Sequence, residues 1–335
     1  MEHKTERKTE HKLEREVVHK TERKIEQKEP LVSIVCDTYN HAPYIRRALD
    51  SFLSQQTEFS FEIIVHDDAS TDETADIIRA YEQERPDLFR CVYRKENVYG
   101  KDPKILEHYV FPLARGKYIA ICEGDDYWTS PHKLQKQIAY MEAHPDCTLC
   151  VCAADLVDPE ENWIGNVAPY AEDTDIPTED VIRGGGGFVA TASIVAPTHL
   201  AQNRAPFCDL SDVDDAVLQI FFASQGTTHY FAEPMCAYRQ AVPGSWTLTY
   251  NASKRETQVQ HHRSLAQALR AFDEWSGFRW HEAVDFNAIY QEYEVLRMTN
   301  DMPALKKPPY RERYLQLPLR RRIRMHLARL GIIKN

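Results

Sequence analysis

With 335 residues and 43% hydrophobic side chains, the chain is long enough for two domains or one elaborated domain and can build a sizeable core. No stretch approaches the ~20 consecutive apolar residues that cross a bilayer, and the N-terminus lacks the apolar region of a secretory signal, so a cytoplasmic protein is expected. The net charge of −10 is uneven, with +1 over residues 1–29, +9 over residues 306–335 and so −20 over residues 30–305. An acidic body argues against nucleic acid as a partner.

Residues 1–29 repeat with a period of eight: Glu2-His3-Lys4-Thr5-Glu6-Arg7 returns as Glu10-His11-Lys12-Leu13-Glu14-Arg15 and as Val18-His19-Lys20-Thr21-Glu22-Arg23. So few apolar residues build no core, which leaves a solvated charged helix or a disordered tail that Pro30 ends. From Leu31 strands and helices alternate. Strands are expected at Leu31–Cys36, Phe61–Val65, Cys91–Tyr93 and Tyr118–Cys122. A first helix carries Ile45, Leu49, Phe52 and Leu53 on one face. A second runs to about Tyr81 from the capping-box pair Ser70 and Glu73. A third covers Lys104–Ala114, and a fourth starts at Ser130-Pro131 with Leu134, Ile138 and Met141 inward. Strands joined by helices of this length imply a parallel sheet with right-handed crossovers.

The second half is less regular. Strands are expected at Thr148–Ala153, Phe188–Val195 and Thr228–Ala232, with the glycine run Gly184–Gly187 as a flexible connection or a loop near a ligand. Helices are expected at Ala216–Ser224, from the Ser253/Glu256 pair to about Trp275, and around Phe286, Ile289, Tyr293 and Leu296. The last helices would pack on the sheet or form a small bundle. Cys147, Cys150 and Cys152 have partly zinc-like spacing but no second Cys/His pair. In a buried strand, neighbouring thiols of this set would turn to opposite faces.

Three polar clusters follow strands of the one sheet: Thr38-Tyr39-Asn40, Asp67-Asp68, and Asp125-Asp126 in the run Glu123–Trp128. Parallel strands align their carboxyl ends, where open α/β sheets bind ligands. There is no Gly-x-Gly-x-x-Gly and no Gly-Lys-Ser/Thr loop, which disfavours a nicotinamide cofactor and an ordinary ATPase. Paired aspartates suit a hard divalent cation that also grips a diphosphate.

Three stretches resemble the catalytic domain of family 2 glycosyltransferases: Val32-Ser33-Ile34-Val35-Cys36-Asp37-Thr38-Tyr39-Asn40, Ile63-Ile64-Val65-His66-Asp67-Asp68-Ala69-Ser70-Thr71-Asp72, and Gly116-Lys117-Tyr118-Ile119-Ala120-Ile121-Cys122-Glu123-Gly124-Asp125-Asp126. Their order and intervals carry the resemblance across residues 31 to about 150, with the bacterial surface-polysaccharide enzymes as the nearest type. It implies a GT-A fold: an α/β domain with a mixed, mainly parallel sheet flanked by helices, and a C-terminal helical extension. The implied organisation is a catalytic domain over 30–250 (nucleotide-sugar half 30–150, acceptor half 151–250), helices over 251–305 and a basic tail over 306–335.

The resemblance also implies roles. Thr38, Tyr39 and Asn40 would border the nucleobase, with Tyr39 as a stacking face. Asp68 would accept from a uracil N–H, while Asp67 either joins it or caps the next turn. Asp126, with Asp125, would hold Mn²⁺ or Mg²⁺ on the donor diphosphate, and Asp125 would also meet the ribose or sugar. Arg239, in Tyr238-Arg239 before Gly244-Ser245, would approach the phosphates, although Gln240-Ala241-Val242-Pro243 departs from the family's histidine-bearing segment. An inverting transfer needs a base. The family's acidic residue, about eleven before a glycine, falls on Asp215 before Gly226, with Asp214 and Asp212 as alternatives. Trp128 would pack on a sugar or in the core.

The expected activity is metal-dependent transfer of a sugar from a nucleotide-diphosphate donor, a UDP-sugar, to a bacterial surface polysaccharide or lipid-linked glycan. A sugar-nucleotide pyrophosphorylase and a non-catalytic scaffold subunit are the alternatives. In the tail, Leu319, Ile323, Leu327 and Leu330 form a stripe among Arg320, Arg321, Arg322, Arg324 and Arg329. That stripe would lie on the inner membrane face, making the protein peripheral, or dock on the acidic body or a partner.

Overall fold

The computed structural model describes residues 29–99, 104–329 and 332. The expectations for the N-terminal repeat over 1–28 and for Leu330 lie outside these residues. The chain opens with β1 (Val32–Thr38), α1 (Ile45–Leu53), β2 (Phe61–Asp67), α2 (Thr74–Glu84), β3 (Phe89–Tyr93), β4 (Tyr118–Ile121), β5 (Tyr127–Trp128) and α3 (Lys133–Ala143). It continues with β6 (Cys147–Val157), β7 (Trp163–Val167), β8 (Thr174–Ile176), α4 (Thr178–Gly184), β9 (Val195–Pro197), α5 (Thr198–Gln202), α6 (Asp215–Gln225) and β10 (Thr227–Arg239). It ends with α7 (Trp246–Ala252), α8 (Arg255–Trp275), α9 (His281–Thr299), α10 (Met302–Leu305), α11 (Arg311–Gln316) and α12 (Leu319–Arg329).

The sheet runs β3-β2-β1-β4-β9-β6-β10-β5, with β7 on β6 and β8 on β10. β3, β2, β1 and β4 are parallel, as are β6 and β10, while β9 joins the two groups antiparallel to its neighbours. After β1 the chain steps to β2 and β3, then returns to the other side of β1 as β4. This reversal opens a crevice beyond the carboxyl ends of β1 and β4.

β1 and β4 are buried on both faces, so their near-continuous apolar runs are those of parallel core strands. On one face Ile34, Cys36, Ile63 and Ala120 pack against Leu49 and Phe52 of α1, Ile78 of α2 and Ile138 of α3. On the other, Val35, Ile64, Ile121 and Val151 share a core with Phe222 of α6, Leu269 and Phe272 of α8 and Val284 of α9. The long C-terminal helices therefore complete the lower layer of the sheet. α10 to α12 gather with the C-terminal part of α9 in a separate small cluster, with Tyr293, Met302, Leu305, Tyr314 and Met325 at its centre.

Several sequence expectations change. Phe188–Val195 is not a strand: 3₁₀ turns at Gly185–Gly187 and Thr191–Ser193 lead into β9. Its alternating apolar residues reflect burial of Val189, Ala192 and Ile194 without a ladder. Lys104–Ala114 forms a π turn at Leu106–Val110 and a 3₁₀ turn at Phe111–Leu113. Neither capping box forms. Asp72 Oδ1 caps α2 by accepting from Thr74 N (3.0 Å), while the Ser70 hydroxyl accepts from Asn40 N, and Ser253 donates to Tyr250 O. A bulge between Cys147 and Leu149 turns Cys147 to the same buried face as Cys150 and Cys152, where Cys152 Sγ lies 3.9 Å from Cys236 Sγ. Trp128 is a core residue, 4.9 Å from Phe52 and donating from Nε1 to Ala192 O.

At the opposite end of the sheet from the crevice, Gly116 lies so close to β1 that a Cβ would sit 2.6 Å from Ser33 N. There the buried Glu62 accepts from Ser33 Oγ (2.7 Å) and from Arg115 Nε (2.9 Å) and N (2.9 Å). Burial alone would raise its carboxyl, but the Arg115 and Ser33 hydrogen bonds outweigh it and hold Glu62 below the usual range. Replacing Glu62 with Ala is expected to cost about 2–3 kcal/mol at pH 7 in urea unfolding. Because the folded-state value is lowered, that stability is present above the unfolded value of 4.5 and lost as pH falls through the folded one, so the difference between Glu62→Ala and the natural protein narrows in acid.

Candidate active site

The crevice is walled by the strand ends the topology aligns. Thr38 closes β1, fully buried, with its Oγ1 unpartnered. The next loop turns back at Asn40, which has φ +55°, and Asn40 Oδ1 accepts from Thr71 N at 2.7 Å. The loops after β1 and β2 are thus tied together, leaving the Tyr39 ring exposed.

Asp67 and Asp68 both sit at the end of β2 and are buried, but they face different partners. Asp68 accepts from Val98 N (2.9 Å) and Tyr99 N (3.1 Å), so it orders the segment 97–99 beside the crevice. Asp67 Oδ2 accepts from Ser70 N, its Oδ1 has no partner, and burial raises its carboxyl.

The turn after β4 carries the acids. Gly124 packs so tightly on β1 that a Cβ would stand 2.6 Å from Thr38 Oγ1. Asp126 Oδ1 accepts from Arg239 N at 2.8 Å, and Asp126 is pushed far up by burial and by Asp125 and Glu123. Asp125 remains partly open, with His41 Nε2 at 3.8 Å. Glu123 is pushed up to about 8 by burial and by the charges of Asp125, Asp37 and Asp215.

The Arg239 side chain has protein partners of its own. Its guanidinium is enclosed, donating from Nε to Asp125 O (2.9 Å), from one terminal nitrogen to Pro159 O (3.1 Å) and from the other to Glu161 Oε1 (3.0 Å), over the ring of Tyr44. Its work is to pin the acidic turn to the end of β10.

Across the crevice, the three acids before α6 separate clearly. Asp214 is bound by Lys104 Nζ (2.7 Å) and Arg204 (3.1 Å). Asp212 accepts from His261 Nδ1 (2.9 Å) and Ser264 Oγ (2.7 Å), which together outweigh burial and lower its carboxyl. Asp215 makes its one side-chain hydrogen bond among the described residues to Ala216 N, and burial raises its carboxyl. Gly186 abuts it, since a Cβ there would lie 2.8 Å from Asp215 Oδ2.

The geometry brings together Thr38, Asn40, Asp67, Asp68, Asp125 and Asp126 on one side and Asp212 and Asp215 on the other. Sequence reasoning missed Asp37, Glu123, Tyr99 and His261. Asp37 pairs with His66 Nδ1 at 2.8 Å across the β1–β2 ladder. The Tyr99 hydroxyl is raised by burial and by the charges of Glu123, Asp212, Asp37 and Asp215. Asp37 and Glu123 stood within the motif stretches; Tyr99 and His261 carry no sequence signal.

The family model for glycosyl transferase family 2 matches residues 33–190. An uncharacterized protein of Mycobacterium tuberculosis is 33% identical over 253 residues, covering 76% of this chain and 71% of that protein. The chain belongs to glycosyl transferase family 2. The Escherichia coli UDP-Glc:alpha-D-GlcNAc-diphosphoundecaprenol beta-1,3-glucosyltransferase WfaP is 38% identical over 112 residues, 33% of this chain and 41% of its own. In solved structures, Staphylococcus aureus TarS 1-349 in complex with UDP-GlcNAc aligns with TM-score 0.54 and 15% identity, over 89% of this chain and 79% of that one. The Pyrobaculum calidifontis mannosyltransferase PcManGT, in complex with GDP-Man and Mn²⁺, aligns with TM-score 0.53 and 16% identity, over 91% and 81%. The family 2 glycosyltransferase described here thus shares the GT-A fold with them.

A methyl group at Gly124 would drive the acidic turn off β1. Gly124→Ala is expected to cost about 1–3 kcal/mol of stability and to weaken binding of a nucleoside diphosphate roughly tenfold, read by thermal melting and by calorimetric titration.

Proposed function

We propose that this enzyme is a metal-dependent inverting glycosyltransferase that moves a sugar from a UDP-sugar to a hydroxyl of a bacterial surface polysaccharide or lipid-linked glycan. The observation that carries the reading is the convergence of Thr38–Asn40, Asp67 and Glu123–Asp126 at the switch between β1 and β4, with Asp215 facing Glu123.

The donor set fits a hard divalent cation. All its side-chain ligands are oxygens, and Glu123 and Asp126 are raised because too many carboxylates share one low-dielectric space. Among the described residues no three His, Cys, Asp or Glu side chains enclose an ion. Mn²⁺ or Mg²⁺ would be held by Asp126 and Asp125, with the remaining positions left to the donor and water. When bound, the cation would offset the charge gathering on the departing nucleoside diphosphate.

The protein's own groups do the rest. Tyr39 offers a stacking face to the base beside Thr38 and Asn40. Asp68 fixes the 97–99 segment that borders the same space, with Asp67 next to it. Asp215 takes the proton from the acceptor hydroxyl as its oxygen attacks the anomeric carbon and the bond to the diphosphate breaks. Asp214 is held by Lys104 and Arg204, and Asp212 is oriented through Oδ1 by His261 and Ser264 and lowered by them, whereas burial raises Asp215, which favours Asp215 as the base.

Two observations bear on the acceptor. The relative WfaP is named for a diphosphoundecaprenol-linked acceptor. In the tail, α12 docks through Met325, while Leu319 and Ile323 stand 63% and 49% exposed among Arg320, Arg321, Arg322 and Arg324. We read that face as resting on the anionic inner face of a membrane. No helix among the described residues is long and apolar enough to span one.

Incubation with a panel of UDP-sugars, Mn²⁺ and lipid-linked acceptors is expected to release UDP. Asp126→Ala should lower that rate at least about a hundredfold. Asp215→Asn should lower kcat by about 10²–10⁴ with UDP affinity unchanged. Full activity in either variant would remove its assigned role, and pyrophosphate as product would replace transfer with pyrophosphorolysis. In co-sedimentation, Leu319→Glu with Ile323→Glu should abolish pelleting with anionic liposomes, whereas equal pelleting would exclude the membrane contact.

A further inference from the structure

Helix α7 packs beside the wall that carries Asp212. The rings of Trp246 and Tyr250 lie 5.1 and 5.0 Å from the His261 ring, and His261 Nδ1 bonds Asp212.

No residue of α7 is buried, so its aromatic side chains are not held there by a core. Trp246 stacks on Tyr250, one helical turn on, with centroids 4.9 Å apart and planes 12° from parallel. Tyr250 is fixed in turn, its hydroxyl 3.0 Å from His262 Nε2, while His262 Nδ1 meets Gln291 Oε1 at 2.7 Å. Trp246 stays 40% exposed on this rigid stack. Beside it, Asp212 uses Oδ1 for both His261 and Ser264, its Oδ2 has no hydrogen bond among the described residues, and its side chain is 40% exposed.

A flat, electron-rich face next to an available carboxylate oxygen is the chemistry that recognises a pyranose. The C–H groups on one face of the sugar meet the negative face of the ring, and the hydroxyls at its edge donate to the carboxylate. We propose that Trp246, backed by Tyr250, and Asp212 Oδ2 form the acceptor subsite, which holds the terminal pyranose of the growing glycan beside Asp215. This rests on the glycosyltransferase reading and adds to it the class of acceptor and the residues that select it. Because the stack is held before any ligand arrives, little ordering is lost on binding.

The full-length enzyme with UDP and Mg²⁺ is probed with cellobiose and N,N′-diacetylchitobiose by saturation-transfer NMR, and UDP affinity is measured separately by calorimetry. Saturation transfer to at least one disaccharide is expected. It should fall roughly fivefold in Trp246→Ala and be kept largely in Trp246→Tyr, with UDP affinity within about twofold throughout. Asp212→Asn should weaken the disaccharide and leave UDP unaffected. Wild-type saturation transfer in Trp246→Ala would overturn the subsite, as would its absence for both sugars in the natural protein. Failure of UDP to bind would instead count against the donor reading, and the disaccharide signals would still decide the subsite.

Discussion

The site depends on gathering carboxylates at a low-dielectric sheet edge. Like charges repel there, and each loses hydration. Asp125, Asp37 and Asp215 act on Glu123, and Asp125 and Glu123 act on Asp126. Fixed donors keep such an arrangement from collapsing: Arg239 holds both the backbone and a side chain of the turn, His66 holds Asp37, and the amides of Val98 and Tyr99 hold Asp68. The proposed divalent cation would offset the negative charge that remains.

The two walls of the crevice have different origins. The wall proposed for the donor is made by parallel strands, whose ends the ladder aligns. The wall proposed for the acceptor is made by the N-terminus of α6, the glycine run and α7, which belong to no common ladder. α8 supplies His261 and Ser264 to that wall while its inner face enters the same core as the sheet. The side with Asp215 is thus positioned by helix packing and the side with Thr38, Asp67 and Asp126 by backbone hydrogen bonds.

This difference explains what the sequence made legible. β1, β2 and β4 announce themselves as apolar runs ending in polar clusters, and the motif stretches carry Thr38, Asp67 and Asp126 to one place. Phe188–Val195 misled because apolar alternation measures burial, and turns can bury side chains as well as strands can. For Arg239 the motif gave a residue type and not where its guanidinium points. Enclosed by Pro159, Glu161 and Tyr44, it became a strut. His261 and Tyr99 were invisible because their roles come from contacts across 49 and 31 residues of chain.

The shared core beneath the sheet also limits how this enzyme can be recombined. Leu269, Phe272 and Val284 fill the same interior as Phe222 and Val151. A chimaera joined at residue 250 would import helices shaped for another scaffold and leave α6, with Asp215 at its tip, resting on a mismatched floor. On the acceptor subsite proposed above, grafting a new preference means transplanting α7 and the supporting helical hairpin of α8 and α9 as one cassette.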